Sequence, residues 1–256
     1  VRPESASAPE DQAPDQVVDP LEGDARLPEL FGPAWAAVAG FHAMLREEGV
    51  LRGLVGPREV SRLWERHLVN SSAVVPFLPE QGRIIDVGSG AGLPGIIIAA
   101  MRPEAEVVLL EPMERRTDWL TEVVDALGLD NARVVRGRAE DLVGEIEGDA
   151  VTARAVAALD KLYGWTLPLL RVGGRLVAMK GGRAQVEVQD GAETGRRLGG
   201  GAAEIQVAPT LPGLDPTSVV LVTKEEAGEP VPPSRVSRGT EGGSRRTRRP
   251  TKGHRR

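Results

Sequence analysis

The stretch RIIDVGSGAGLPG, residues 83–95, limits the possible folds more than any other part of this chain. Ile84, Ile85 and Val87 form a short apolar run that reads as a buried parallel strand. Gly88, Gly90, Gly92 and Gly95 interrupt it. Ile96, Ile97, Ile98, Ala99 and Ala100 then resume an apolar pattern that fits a helix packed on a sheet. Strand, glycine turn and helix together make a nucleotide cradle. Glycine lets the backbone turn sharply and approach a ligand with no Cβ between them, and the helix start offers free N–H groups.

Two acids bear on which nucleotide. Gly90-x-Gly92-x-x-Gly95 matches the dinucleotide fingerprint. Asp86, however, sits two residues before the first turn glycine, at the strand's carboxyl end. A carboxylate facing the cleft there suits the ammonium of a methionine moiety and repels a pyrophosphate. Glu111 ends the next apolar run, Val107 to Leu110. An acid at that position accepts hydrogen bonds from both ribose hydroxyls, in NAD and S-adenosylmethionine sites alike. The pair favours S-adenosylmethionine, with a purely structural turn as the alternative.

The rest of the chain supplies a sheet around this unit. Apolar runs at 84–87, 106–110, 132–136 and 148–153 alternate with helical stretches at 93–101, 113–127 and 157–170. Gly173 and Gly174 turn the chain into a fifth strand at 175–179, a helix follows near 183–197, and strands at 203–208 and 219–223 close the series. Strand–helix alternation predicts a doubly wound, mostly parallel sheet of seven strands. The Pro/Gly-rich link between the last two predicts a hairpin, with one strand antiparallel to the rest. Before the sheet, Leu30 to Leu45 recur at three- and four-residue steps, and a second amphipathic helix spans 57–77. These form an amino-terminal helical cap.

Charge separates the ends from the body. Net charge is −5, yet residues 1–24 carry seven acids against Arg2, and residues 235–256 carry nine Lys/Arg against Glu241. The expected organisation is a disordered acidic tail at 1–24, the cap at 25–80, the sheet domain at 81–224 and a disordered basic tail at 225–256. An acidic body does not advertise nucleic-acid binding, so any such function uses a local patch or the basic tail. With no cysteine and three scattered histidines, no metal site is expected. No apolar run approaches membrane-spanning length, so a cytoplasmic protein is expected.

Ligands of doubly wound sheets sit beyond the strands' carboxyl ends. After the third strand come Ala139 and Glu140, where an acid or backbone amide could read an adenine edge; a carboxylate favoured by a helix dipole is the alternative for Glu140. After the fourth comes Arg154, either a functional cation or half of an ion pair with Asp86 or Glu140. Lys180 ends the fifth strand.

Several segments resemble one family. DVGSGAGLPG at 86–95, LLEPMERRTDWL at 109–120, GRAED at 137–141, VTARAVAAL at 151–159, GGRLVAMKG at 173–181 and SRLWERHLVNSS at 61–72 are similar to the glucose-inhibited division protein B family, bacterial 16S ribosomal RNA guanine-N7 methyltransferases. The likeness spans roughly residues 28–224. It implies a class I methyltransferase fold, Rossmann-like with a helical cap. It also implies S-adenosylmethionine contacts at Gly88, Leu93, Glu111, Pro112, Met113, Ala139, Glu140 and Arg154, with 16S RNA or the small ribosomal subunit as partner. A monomer is expected. The family usually has Asp where Glu111 stands, and Asp-Ser where Asn70-Ser71 stands.

Guanine N7 carries an exposed lone pair, so the implied reaction needs alignment rather than a general base. Arg154 and Lys180 are the expected catalytic cations at the base, and their replacement by alanine is expected to cut methylation while leaving folding intact. Arg66, His67, Arg115 and Arg116 join them as possible contacts to RNA phosphate or base. An exposed helix face is the alternative for Arg115 and Arg116, and a packed, hydrogen-bonded ring for His67. An NAD-dependent oxidoreductase and a non-catalytic nucleoside-binding ribosome assembly protein are the rival readings.

Overall fold

The computed structural model describes residues 19–154 and 156–229. The tails expected before 19 and after 229 therefore lie outside the described residues. Seven strands form one sheet: β1 (Gly82–Val87), β2 (Ala105–Glu111), β3 (Ala132–Arg136), β4 (Gly148–Arg154), β5 (Leu170–Lys180), β6 (Glu204–Ala208) and β7 (Thr217–Thr223). Their order is β3-β2-β1-β4-β5-β7-β6. β1 to β5 are parallel, and β7 runs antiparallel to both β5 and β6. The seven-stranded, mostly parallel sheet and its closing hairpin match the sequence expectation.

The central strands read as unbroken apolar runs because both sheet faces are covered. Successive side chains go to opposite faces. Ile84, Val107, Leu109 and Val219 pack under the cap with Phe41, Leu68 and Trp119. Ile85, Val108, Leu110 and Val220 pack on the other face with Leu162 and Tyr163. Each large aliphatic side chain so buried contributes roughly 1.5–3 kcal/mol against exposure. Asp86 follows this alternation and points to the face of Ile84.

The cap begins with α1 (Arg26–Phe31) and α2 (Trp35–Glu48). Trp35 and His42 stack on Trp64, at 5.5 and 4.3 Å between ring centroids. The expected single helix over 57–77 is broken. A 3-10 turn at Val60–Arg62 leads into a π-helical stretch, Trp64–Val69, then the single turn α3 (Asn70–Ser72) and a 3-10 turn at Val75–Phe77. Apolar periodicity located the buried face but not the change of hydrogen-bond pattern. Four helices flank the sheet: α4 (Gly95–Met101), α5 (Glu114–Leu127), α6 (Leu159–Thr166) and α7 (Ala184–Arg197).

Three expected boundaries move. Residues 19–24 belong to the folded unit: the Asp19 carboxylate accepts the N–H groups of Leu21 (3.0 Å) and Trp64 (2.9 Å), and Leu21 is buried. At the other end, Glu225 N–H donates to Gly199 O (2.8 Å) and Glu229 N–H to Arg197 O (3.0 Å), so ordered backbone runs past 224. β5 starts at Leu170, ahead of the glycines expected to be a turn. Gly173, at φ +85°, lets the strand absorb a register shift against β4 without ending it.

Candidate active site

The glycine turn is built by β1, β2 and α4 together. Gly88 and Ser89 both donate their N–H to Leu110 O, at 2.8 and 3.1 Å, and Trp119 Nε1 holds Ala91 O at 2.9 Å. Gly88 and Gly90 take φ of +72° and +57°, which L side chains rarely adopt. A Cβ on Gly88 would come within 3.2 Å of Val156 and fill the gap between the turn and that residue.

Asp86 does not face the cleft, contrary to the sequence reading. It is 1% exposed, and its Oδ2 accepts the first N–H of α4, from Gly95, at 3.0 Å. A Cβ on Gly95 would overlap both Asp86 Oδ2 and Leu109, so glycine is what lets helix and strand meet there. Burial pushes the Asp86 carboxyl up to about 7, offset in part by Ser89 and the Gly95 N–H. Among the described residues its Oδ1 has no hydrogen-bond partner. The acid thus seals the helix end where a dinucleotide would place its pyrophosphate.

Glu111 stands where the sequence expected it. It is 2% exposed at the end of β2, with Oε2 accepting the Gly90 N–H (2.9 Å) and Oε1 the Met113 N–H (3.0 Å). A carboxylate has about four acceptor positions, so each oxygen keeps capacity for one ribose hydroxyl. Arg116 Nη1 lies 3.8 Å from Oε2.

Gly88, Leu93, Glu111, Pro112, Met113, Ala139, Glu140 and Arg154 all line one cleft of about 630 Å³. That volume lies within the roughly 300–1,000 Å³ usual for small-molecule sites. His67, Val156 and Trp165 also line it. A second cleft, about 700 Å³, is lined by Lys180, Asn70, Thr217, Arg183 and Glu187. Arg154 and Val156 belong to both, so they form the shared wall.

Arg154 is not a free cation. Its Nη1 donates to His67 O (3.2 Å) and Ser71 Oγ (3.0 Å), and its Nη2 to Arg66 O (2.9 Å) and His67 Nδ1 (2.8 Å). No ion pair joins it to Asp86 or Glu140; it latches the sheet to the cap. Burial lowers its pKa to about 10, against the opposing pull of Asp86 and Glu59. A guanidinium only donates, so His67 Nδ1 is an acceptor. Nε2 then carries the proton and donates to Glu59 Oε2 at 3.0 Å. Burial and Arg154 hold the His67 pKa below its ordinary value, and Glu59 opposes them. Both ring nitrogens are committed to the protein.

Lys180 is likewise engaged. Nζ donates to Ala157 O (2.5 Å) and pairs with Glu187 Oε2 (2.9 Å), with the side chain 8% exposed. Of the other expected RNA contacts, Arg66 pairs loosely with Glu59 at 3.7 Å, Arg116 lines the first cleft and Arg115 is exposed outside both. Sequence reasoning missed Glu59, Val156, Trp165 and Glu187. Only Val156, two residues from Arg154, carried a positional signal.

A family model described as rRNA small subunit methyltransferase G matches residues 35–205. This chain belongs to that family. Proteins named ribosomal RNA small subunit methyltransferase G are 46% identical in Thermobifida fusca, over 86% of this chain and 94% of that one, and 48% identical in Beutenbergia cavernae, over 75% and 91%. The relative in Bifidobacterium longum is 41% identical over 81% of this chain and all of its own length. Among solved structures, the predicted O-methyltransferase Atu636 of Agrobacterium tumefaciens shares the fold, with a TM-score of 0.51 at 18% identity over 62% of this chain and 82% of that one. The family assignment thus joins a cleft built by β1 and β2 to proteins named for methylating small-subunit RNA.

Proposed function

We propose that this chain transfers the methyl group of S-adenosylmethionine to N7 of a guanine in 16S ribosomal RNA. The observation that carries the choice of donor is the pairing of Asp86 with Gly95. The helix end that would bind pyrophosphate is filled by a carboxyl group, while Glu111 nearby retains acceptors for a ribose diol. Glu111 would hold the ribose, Ala139 and Glu140 would flank the base, and Gly88 would leave room for the amino-acid arm.

When bound, the donor supplies an electrophilic methyl group on a sulfonium. The target guanine belongs in the second cleft, so that N7 meets the methyl at the wall shared by Arg154 and Val156. The lone pair on N7 is available in the neutral base, and no proton need leave. This agrees with His67, whose two nitrogens are already committed. The chain's part is orientation, which in well-aligned systems is worth about 7–11 kcal/mol of barrier. An ammonium has three donors, so Lys180 keeps one for guanine O6, the acceptor beside N7. Arg138 and Arg183, exposed on the rims of the first and second clefts, are placed to meet phosphates.

Incubation with methyl-labelled donor and 16S RNA or small subunits, followed by digestion to nucleosides, tests this reading. N7-methylguanosine is the expected labelled product. Label on another atom or base, or none on any RNA, overturns it.

A further inference from the structure

We infer that Glu187 on α7 is a positioning residue for methyl transfer, acting through Lys180 and the segment 156–158. This rests on the function proposed above and adds a residue to it. Glu187 Oε2 accepts the Leu159 N–H at 3.0 Å and forms an ion pair with Lys180 Nζ at 2.9 Å. Leu159 N–H is the first donor of α6, one of the groups a helix start leaves without an internal partner. Lys180 in turn holds Ala157 O. One carboxylate oxygen thus ties the end of β5, the start of α6 and, through Lys180, residues 156–158 to α7.

That segment carries the wall where the two clefts meet. Val156 lines both, and its methyl groups stand 3.2–3.3 Å from where a Gly88 Cβ would be. Helix α7 is a firm anchor. Cβ atoms on Gly191 and Gly195 would each come to 3.0 Å from the Tyr163 ring, so α6 and α7 pack at glycine distance. Displacement of a reacting group by about 1 Å can cost on the order of 100-fold in rate. Without Glu187, Lys180 keeps its bond to Ala157 but loses its own anchor, so the segment is free to shift as a unit.

The test uses the whole chain and four proteins: wild type, Glu187→Ala, Glu187→Gln and Glu187→Asp. Glu187→Ala is expected to lower kcat roughly 10- to 100-fold, with S-adenosylhomocysteine affinity within about threefold of wild type, because the Glu111 contacts remain. Glu187→Gln keeps an acceptor oxygen at the same reach and is expected to recover at least about tenfold over alanine. Glu187→Asp is one methylene short and is expected to resemble alanine. Turnover of Glu187→Ala within twofold of wild type overturns the inference, as does a loss confined to KM for RNA. Glu187→Gln no better than alanine also overturns it. An inactive wild type would count against the function and not against this strap. Amide exchange at Leu159 then decides, since about tenfold faster exchange in Glu187→Ala is expected and unchanged exchange refutes it.

Discussion

Replacing Arg154 by alanine unlatches the cap, and the size of the effect follows from its contacts. The guanidinium donates four bonds, to Arg66 O, His67 O, His67 Nδ1 and Ser71 Oγ. Hydrogen bonds to charged groups contribute about 1.5–3 kcal/mol each. Two effects reduce the sum. The buried guanidinium is itself desolvated, which is why its pKa is lowered to about 10. The freed acceptors on Arg66 and His67 also belong to residues lining clefts that water can enter. A net loss of about 2–3 kcal/mol results, or a fall in Tm of about 4–12 °C for a chain of this size. The expectation that alanine at 154 leaves folding intact is therefore revised.

The same change should register at His67. With Arg154 gone, Nδ1 loses its donor and the ring loses a neighbouring positive charge, so its pKa should rise. In the wild type the depressed value means that His67's contribution to stability is fully present above its unfolded pKa, near 6.5. That contribution is lost as pH falls through the lower folded value. Arg154→Ala should flatten this dependence. The chain has three histidines, His42, His67 and His254, so NMR titration can follow each ring. An unchanged His67 titration together with a Tm within about 1 °C of wild type would refute the latch.

Other outcomes follow from the same contacts. Glu111→Ala should weaken S-adenosylhomocysteine binding by about 100-fold or more, since two bonds to a charged acceptor are lost, and Glu111→Asp should restore part of it; calorimetry measures both. Asp86→Asn should change the pH profile of stability. A folded carboxyl raised to about 7 makes the wild type lose stability as pH climbs from about 4 to 7 and level off above. The asparagine variant should lack that decline, by as much as about 4 kcal/mol, in denaturant melts across that range. Deleting residues 235–256, with nine basic residues against one acid, should weaken RNA binding at low salt and lessen its salt dependence.

The sheet was legible because double burial gives strands an uninterrupted apolar signature, and the closing hairpin because Pro209, Pro212, Gly213 and Pro216 mark a turn. The cleft was legible because its residues sit at strand ends, which topology gathers on one side. Side-chain partners were not. Arg154 and His67 are 87 residues apart in sequence, and no local pattern announces that a strand-end arginine will bond the backbone of a distant helix. Asp86 was placed on the correct strand but given the wrong neighbour. The alternation that buries Ile84 under the cap also turns Asp86 toward α4, and only the fold showed Gly95 waiting there. Glu187 looked like any acid in the first turn of a helix, since its two partners come from β5 and α6.

The most direct test of the account is paired calorimetry of the wild type with S-adenosylhomocysteine and with NAD. Saturable binding of the first at one site, weakened about 100-fold or more by Glu111→Ala, with no heat from the second, is the predicted result. Equal or tighter binding of NAD would contradict it, because a pyrophosphate would then have displaced Asp86 from the head of α4.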